Sequence, residues 1–409
     1  MAGTGITYAV EVAWGGSLEG LFRIGVSTIG GTDIIPGWPA DVGFESVTAD
    51  TTAFAVTRGR SSDLGQLMAG TATIRLRDQA GLYNPVNTDS ALSPNVKPMR
   101  AIRIKATYDS TEHGLFYGFI QSIRSRSDPD SPVTELRCAD LFSWLALRVP
   151  TISATGETTT GAAIGTVLDE IAWPGTLRSL GIGDTIPDFS ASGTKTSLEL
   201  IRELLEAEMG TFYINGSGIA VYEDRNERFK STTVDSTITG AANTLMDFDS
   251  TNDASTIFNA ATVTLSGGSA QSATDTDSIN AFGRRDMESL TTTYLADDAA
   301  ALSRAKLRVA RFKDPKTPAF TTLLASNKTS PSQDTSAIVM ARDLNDRVTI
   351  TEPFGNTDAK QYFIEQVNHA SEAHRGNQRH VTSWLLSEVP TTGPFIIGLT
   401  GIGQGYIGV

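Results

Sequence analysis

The sequence predicts a mainly β chain with an α+β insert, in which two small antiparallel β-barrels accompany mixed α/β domains. Three observations lead to this fold class. Runs of alternating apolar and polar residues, separated by turn residues, predict strands with one buried face. Amphipathic runs with helical spacing lie between the strand-rich regions. The 409 residues exceed one ordinary hydrophobic core, so roughly two to four domains are expected.

The first strand-rich region, residues 1–150, is expected to form the first barrel. Ile74 and Leu76 alternate with arginines, and Ile102 and Ile104 alternate with basic residues in the same way. This period of two places one set of side chains in a core and the other in solvent. Asp, Gly, Asn and Pro residues between the runs supply the turns that connect antiparallel strands.

A mixed α/β unit is predicted over residues 151–232. Thr196 and Glu199 have the spacing of a capping box, and Gly210 follows the last apolar position of the run. This combination predicts a helix that begins after the threonine and ends before the glycine. The elements predicted in this unit are helices over residues 161–171 and 197–209 and a hairpin over residues 211–223.

Residues 233–334 are expected to start the second barrel and to carry a helical and mixed insertion. An alternating strand over residues 257–265 precedes a polar stretch, residues 266–278, that is predicted to be a flexible loop. Acidic residues start and basic residues end a predicted helix over residues 297–312, an order that suits the helix dipole. Residues 335–388 return to strands and are predicted to complete the second barrel.

The composition limits the classes of partner. Lys and Arg number 33 against 46 Asp and Glu, and the net charge of −13 argues against a broad surface for DNA or an anionic membrane. The single cysteine, Cys138, excludes an intrachain disulfide framework and is expected to be a buried, inert thiol. No apolar run is long enough for a membrane span, and no signal-peptide pattern is present, so neither is expected.

The titratable residues form no recognised catalytic pattern, so no enzymatic activity, cofactor or metal is expected. His369, His374 and His380 match no helical or zinc-finger spacing, and a solvated hairpin around residues 368–377 is favoured over a zinc site.

Two sets of acidic residues also favour solvated positions. Asp247, Asp249 and Asp253 resemble half of a calcium loop, but the glycine of its sharp turn and its last glutamate are missing, which favours a solvated loop. Glu206 and Glu208 point to different sides of one predicted helix and are expected to be surface charges.

Two groups of residues form patterns that are typical of a known family. The first group comprises Arg58-Gly59-Arg60, Ala69-Gly70, Ile74, Leu76, Asp78, Gly81, Tyr83, Asn84, Pro85, Leu115, Phe116, Gly118, Phe119 and Asp140, and the second comprises Glu208, Gly210, Phe212, Asn215, Gly218 and Arg225. The first group is similar to the N-terminal barrel of the tail hub proteins (minor tail proteins) of phages with long non-contractile tails, which are similar to the baseplate central hub family. The second group resembles the second domain of the same hubs.

The resemblance implies a structural virion protein that forms a homotrimeric hub at the distal end of the tail. In this family two barrels per chain let three copies present six similar barrels to a sixfold tube. The hub closes the tail tube, joins the distal tail protein ring, receives the C-terminus of the tape-measure protein and supports the central fibre or tip protein. DNA is a partner only in transit through the lumen. The implied location is the tail tip of the virion, after assembly in the cytoplasm of the bacterial host.

Three other functions stay open. The distal tail ring protein has a similar first barrel, but its second domain is usually a carbohydrate-module-like sandwich, so the α/β unit favours the hub. A tail-associated hydrolase of the cell wall would need a further domain, which the sequence does not indicate. A carbohydrate-binding component could use tryptophans as sugar platforms, although Trp144 and Trp384 stand in apolar surroundings that indicate core. The tryptophans are Trp14, Trp38, Trp144, Trp173 and Trp384.

Two groups of residues are candidates for contacts between subunits. Arg58 and Arg60 are either two solvated arginines around a tight backbone site or members of an inter-subunit ion pair. The uncharged, Gly-rich tail, residues 389–409, is expected to dock in extended form on a partner or a neighbouring subunit, with packing on its own barrel as the alternative. The apolar candidates in this tail are Phe395, Ile396, Ile397, Leu399, Ile402, Tyr406 and Ile407.

Overall fold

The fold was obtained as a computed structural model of the full chain. The structure describes residues 5–15, 43–60, 68–126, 128, 131–230, 234–239, 245–250, 254–315, 319–324, 335–351, 359–374, 377–389, 393–394 and 405–406.

Seven strands of the first region form one half of a 13-stranded sheet. The predicted alternation is present, because Ile74 and Leu76 are buried while the arginines that follow each of them are exposed. The strands are β1 (Thr7–Val12), β2 (Glu45–Ser46), β3 (Thr51–Gly59), β4 (Met68–Arg77), β5 (Ala101–Tyr108), β6 (Thr111–Arg126) and β7 (Val133–Asp140), and they neighbour one another in the order β3-β4-β7-β6-β5-β1-β2.

The α/β insert follows, and its apolar residues form a second buried cluster together with Ala101 of β5 and Phe119 of β6. The capping box is confirmed: the Thr196 side chain accepts a hydrogen bond from the Glu199 amide, and the Glu199 carboxylate accepts one from the Thr196 amide. Met209 ends the helix with a φ of 61°. The elements are α1 (Phe142–Leu147), β8 (Thr151–Ile152), β9 (Thr158–Thr159), α2 (Thr160–Glu170), β10 (Arg178–Leu180), β11 (Thr185–Ile186), β12 (Ala191–Ser192), α3 (Ser197–Glu208) and the predicted hairpin of β13 (Thr211–Ile214) and β14 (Ala220–Glu223).

The chain then returns to the large sheet, leaves it for a small subdomain, and returns again. The subdomain packs a three-stranded sheet against one long helix. The elements in chain order are α4 (Glu227–Lys230), β15 (Ser236–Thr239), β16 (Leu245–Ser250), β17 (Ala260–Leu265), β18 (Ala270–Thr274), α5 (Thr276–Phe282), β19 (Leu290–Thr292), α6 (Asp298–Phe312), β20 (Ala319–Leu324), α7 (Thr335–Ala341), β21 (Arg347–Thr351), β22 (Ala359–His374), β23 (Asn377–Glu388), β24 (Gly393–Pro394) and β25 (Gly405–Tyr406).

The prediction of a flexible loop over residues 266–278 is wrong. Most of this stretch forms β18 and the start of α5. The stretch is polar because β18 is an edge strand whose side chains are exposed or half-buried. Asp275 then caps α5, since its carboxylate accepts a hydrogen bond from the Ser278 amide at 2.9 Å. Polar composition here reflects an exposed edge and a helix cap.

The two strand-rich regions are joined in one sheet through β3 and β22. Strand β22 pairs with β23 along one edge, and along the other edge it pairs first with β21 and then with β3. The β3–β22 pairing is antiparallel and runs from Ala53 opposite Glu372 to Gly59 opposite Gln366. Apolar residues of both regions share one core on this curled sheet, among them Phe54, which belongs to the same buried cluster as residues of β22 and β23.

The predicted fold class, mainly β with an α+β insert, is confirmed. The two strand-rich regions are continuous parts of one sheet and not two separate barrels in space. The division into residues 1–150, 151–232, 233–334, 335–388 and 389–409 stays a prediction. None of the helices among the described residues is long and apolar enough to cross a membrane.

Gly59 offers a test of the joint between the two regions. Its φ is +111°, and a Cβ atom at this position would lie 2.3 Å from the backbone oxygen of Glu365 on β22. We expect Gly59→Ala to lower the free energy of unfolding by at least about 2 kcal/mol, because both the left-handed backbone and the close strand contact oppose a side chain. Urea unfolding followed by circular dichroism measures this change.

Gly165→Ala is the matched control. Gly165 lies within α2, and the nearest atom to an added Cβ would be a methyl carbon of Leu180 at 3.6 Å. This substitution is expected to leave stability unchanged or to raise it by up to about 1 kcal/mol, because alanine favours the helix. Equal effects of the two substitutions would contradict the tight joint.

Candidate functional site

The joint between the two regions is built around a buried carboxylate. Glu365 on β22 has only 2 % of its surface exposed. Its Oε2 atom accepts a hydrogen bond from Nε of Arg60 at 2.5 Å, and Arg228 contacts both carboxylate oxygens at 2.6 and 3.0 Å. The Ser387 hydroxyl donates to Oε1 at 2.5 Å. One carboxylate therefore holds arginines from the end of β3 and from α4.

A second buried arginine of β3 connects three parts of the chain. Arg58 donates from Nε to the backbone oxygen of Leu115 in β6 at 3.0 Å. Its Nη1 atom forms an ion pair with Asp343 at 2.8 Å and approaches the backbone oxygen of Ile214 at 3.4 Å. Asp343 also accepts a hydrogen bond from the Gly216 amide at 3.2 Å, in the turn of the β13–β14 hairpin. The residues Arg58, Arg60, Arg228, Asp343 and Glu365 are called the ionic junction below.

The β13–β14 hairpin packs against this junction. A Cβ atom on Gly216 would lie 2.0 Å from the backbone oxygen of Gly114, so the turn and β6 touch through their backbones. Glu223 accepts hydrogen bonds from Nδ2 of Asn345 at 2.6 Å and from the hydroxyl of Tyr213 at 3.2 Å. Burial raises the pKa of Glu223, and the partners named here act in the opposite direction. The insert is thus hydrogen-bonded to both halves of the sheet.

A second polar cluster ties the insert to the small subdomain. Glu208 accepts hydrogen bonds from Arg225 at 2.6 Å and from the Asp184 amide at 3.0 Å. Arg304 of α6 is buried, donates to the backbone oxygen of Ala207 at 2.8 Å and forms an ion pair with Asp184. Burial raises the pKa of Asp184, but the two arginines outweigh it and hold the pKa below its usual range.

The expectation that Glu208 is a surface charge is wrong. Only 2 % of its surface is exposed, and burial raises the pKa of its carboxyl group. Helical spacing placed Glu208 on another side of α3 than Glu206, which is exposed. The signal that could have identified it is Arg225, because the two residues belong to one group of the family resemblance and are in direct contact.

Other residues of the resemblance also have structural roles. Asp78 is buried and accepts hydrogen bonds from the Tyr83 amide at 3.2 Å and the Thr134 hydroxyl at 2.8 Å, which fixes the turn after β4. Asp140 accepts hydrogen bonds from the amides of Gly70 at 2.7 Å and Phe142 at 2.9 Å. Burial raises the pKa of Asp140 to about 7.

The two arginine candidates are not solvated. Arg58 and Arg60 have 2 % and 8 % of their surfaces exposed, so the solvated alternative is wrong. Both arginines pair with carboxylates more than 200 residues away in the same chain, Asp343 and Glu365. Period and spacing could not reveal this, because the partners come from the other strand-rich region. A role between subunits stays a prediction.

The candidates in the tail are mostly beyond what the structure describes. Phe395, Ile396, Ile397, Leu399, Ile402 and Ile407 lie outside the described residues. Tyr406 lies in β25, which pairs in parallel with β24. Docking of the tail on a partner stays a prediction.

The histidines differ from the predicted solvated hairpin. Strand β22 continues through His369 to His374, and His369 and His380 are buried, with Nδ1 of the first 3.2 Å from Nε2 of the second. The Thr382 hydroxyl lies 3.1 Å from both of these nitrogen atoms, and the ring of Tyr8 stacks on His380. Burial lowers the pKa of both imidazoles, for His380 to about 3, and the charge of nearby Arg58 adds to the effect on His369.

Other candidate sites are also accounted for. Among the described residues, no group of three or more His, Cys, Asp and Glu side chains is placed to hold a metal ion. Asp247 and Asp249 are exposed, as predicted, but they lie in strand β16 and not in the predicted loop, and Asp253 lies outside the described residues. Cys138 is buried, and burial raises the pKa of its thiol.

The tryptophans do not form a sugar platform among the described residues. Trp144 and Trp384 are buried, as their apolar surroundings predicted. Trp14 and Trp173 are buried as well, and Trp38 lies outside the described residues.

Comparison with solved structures identifies the fold. The chain superimposes on the tail protein from Neisseria meningitidis MC58 with a TM-score of 0.58, over 98 % of this chain and 99 % of that chain, at 11 % sequence identity. A 43 kDa tail protein of prophage MuSo2 from Shewanella oneidensis matches with a TM-score of 0.55, over 84 % of this chain and 93 % of that chain, at 13 % identity. The chain has the fold of phage tail proteins. The resemblance found in the sequence is confirmed at this level.

The same tail-protein fold occurs within a larger assembly. The Francisella PdpA–VgrG complex contains a chain that matches with a TM-score of 0.51 at 9 % identity, over 94 % of this chain and 52 % of that chain. No protein-family model matches the sequence, and no curated protein matches it. The similarity to tail proteins is thus found by comparing structures and not by comparing sequences.

Glu365→Gln tests the ionic junction. The substitution keeps the shape of the side chain but removes the buried negative charge that pairs with Arg60 and Arg228. We expect the free energy of unfolding to fall by about 3–5 kcal/mol, the usual cost of breaking a buried ion pair. Asp286→Asn is the control, because Asp286 and its partner Arg284 are largely exposed, and no measurable change is expected. A stable Glu365→Gln protein would contradict the role of the junction.

The buried histidine pair predicts loss of stability in mild acid. Both imidazoles have lowered pKa values in the folded chain, whereas an unfolded histidine titrates near 6.5. Below that pH the unfolded chain binds protons that the folded chain does not, so stability falls with pH. As the pH falls from about 7 to about 5, each histidine is expected to lower the free energy of unfolding by about 2 kcal/mol.

Asp140 has the opposite effect. Its pKa is raised in the folded chain, so it stabilises the fold at low pH, and this contribution is lost as the pH rises from its unfolded pKa to about 7.

His380→Phe isolates the histidine contribution. Phenylalanine keeps a ring that can stack on Tyr8 but does not titrate. Urea unfolding at both pH values measures the fall in the free energy of unfolding over this range. For the variant this fall is expected to be about 2 kcal/mol smaller than for the natural chain. The contribution of Asp140 is common to both proteins and cancels. The same pH dependence in both would show that the pair does not control acid stability.

Proposed function

We propose that this chain is a structural protein of a phage tail and that three copies form the hub at its distal end. The observation that carries the proposal is the likeness to tail proteins along nearly the whole of both chains. Likeness of this extent supports a shared architecture and not merely one shared barrel. The residues that resemble tail hubs are also those that hold the parts of this fold together, among them Arg58, Asp140, Glu208 and Arg225.

The architecture supports a mechanical role. The two strand-rich regions are fixed to each other by β3–β22 pairing and by the ionic junction. A subunit that offers two related surfaces to a tube must hold them at a constant angle. The insert supports this angle because its hairpin turn is hydrogen-bonded to Asp343 at the joint. Three such subunits would present six strand-rich lobes, which is the match to a sixfold tube that the hub resemblance implies.

The proposed partners follow from this position in the tail. The hub would contact the distal tail protein ring on one side and the central fibre or tip protein on the other, and it would receive the C-terminus of the tape-measure protein. It would close the tail tube and open for DNA during genome ejection. The proposed location is the virion tail tip, after assembly in the host cytoplasm. The proposed role is structural and not enzymatic.

Mass and symmetry test this proposal. Light scattering of the purified protein gives its mass in solution, and negative-stain class averages of the same sample give its symmetry. We expect a threefold ring of about 130 kDa, three times the chain mass of 43.5 kDa, with six lobes. A sixfold ring would contradict the hub and favour the distal tail ring protein.

A further inference from the structure

A cleft that borders the ionic junction at Arg60 lies between α3, the start of β13, the segment 287–290 and the end of α6. Its volume is about 430 Å³, within the range of roughly 300–1,000 Å³ that is usual for ligand sites. The cleft has an apolar floor to which the insert contributes the half-buried Leu198, Leu205 and Met209. An apolar side chain of moderate size would gain free energy by entering it.

The walls of the cleft are cationic although the chain as a whole is acidic. Four arginines and two glutamates line it. Arg60 is already paired with Glu365 of the junction, so the remaining surplus is one positive charge in a chain with a net charge of −13. Arg202 of α3 and Arg308 of α6 stand on two of its walls.

Both of these arginines carry buried donors that lack an acceptor. Among the described residues, Nε of Arg202 and Nη1 of Arg308 are buried and have no hydrogen-bond partner. The Nε atom of Arg308 is directed at the sulfur of Met287 at 3.0 Å, which is a weak acceptor. Burial lowers the pKa of Arg308, against the opposing effect of Glu206 and Glu288. Buried donors without a partner are rare in folded proteins, and an acceptor from a bound molecule is one way in which they are satisfied.

We propose that this cleft binds a peptide segment of a partner protein in which an apolar side chain stands next to a carboxylate. The apolar side chain occupies the floor formed by Leu198, Leu205 and Met209. The carboxylate accepts hydrogen bonds from the unpartnered guanidinium atoms of Arg202 and Arg308. An inorganic anion would satisfy the arginines but leave the floor empty, and an uncharged apolar peptide would leave the donors unpartnered. The proposal does not depend on the trimeric state.

The test uses the full chain and a library of short synthetic peptides built from Asp, Glu, Leu, Phe and Ser. Peptides selected on the natural chain are expected to contain a carboxylate beside Leu or Phe. Fluorescence anisotropy then measures their affinity. Replacing the acidic residues of a selected peptide by the corresponding amides should weaken binding at least about tenfold, because charge-assisted hydrogen bonds are lost.

Variants of the chain locate the binding site. Arg202→Gln and Arg308→Met are each expected to weaken binding about tenfold. Ser289→Glu changes an exposed residue at the cleft and is expected to weaken binding by charge repulsion without affecting the fold. Arg284→Gln, outside the cleft, is the matched control and should bind like the natural chain. Thermal unfolding of each variant verifies that it is folded.

Three outcomes would overturn the proposal. Selection would yield no peptide that binds, or selected peptides would lack the acidic and apolar pair, or the Ser289→Glu and Arg308→Met proteins would bind as well as the natural chain.

The thermal midpoint of Arg308→Met is a further test that needs no peptide. Because this substitution removes a buried donor that lacks a partner, the midpoint is expected to equal or exceed that of the natural chain, and a large drop would show that Arg308 serves the fold itself.

Discussion

Charges buried between β3 and β22 are the constraint on which the rest of this structure depends. A buried carboxylate such as Glu365 is tolerated only when cations and hydrogen-bond donors surround it, because desolvation of an unpaired charge costs several kcal/mol. Arg60 and Arg228 reach it from two different parts of the chain. Each part must therefore arrive in its correct place before the charges are satisfied. This requirement gives the joint its specificity, whereas the shared apolar core supplies most of the driving force.

The same principle recurs where the insert meets its neighbours. Arg58 uses Asp343 and two backbone oxygens to connect β3, β6 and the hairpin turn. Glu208 and Arg304 take part in the cluster that connects the insert to the small subdomain. These two polar clusters lie where the insert meets the large sheet and the small subdomain. Buried ion pairs thus fix the relative position of these parts in addition to their apolar packing.

Local features of the fold could be predicted from the sequence, and long-range pairings could not. Period-two alternation around Ile74 located β4, and the capping box of Thr196 fixed the start of α3, because both signals depend on neighbouring residues. Glu365 and Arg60 are separated by 305 positions, so no spacing rule connects them. The spacing of the histidines predicts a solvated hairpin around residues 368–377, yet β22 extends through His369 to His374 and the His369 imidazole is buried. Position on the helix predicts a surface charge at Glu208, because helical spacing does not report on partners from other elements such as Arg225.

In the proposed hub, one chain supplies two fixed strand-rich lobes to a threefold ring. Cryo-electron microscopy of assembled tails that contain this chain tests this arrangement, because the map gives the number of copies and their place along the tail. We expect three copies at the distal end, each contributing two lobes that remain joined through β3 and β22. Six copies in the ring, or a chain whose two strand-rich regions are separated in the assembled tail, would contradict it.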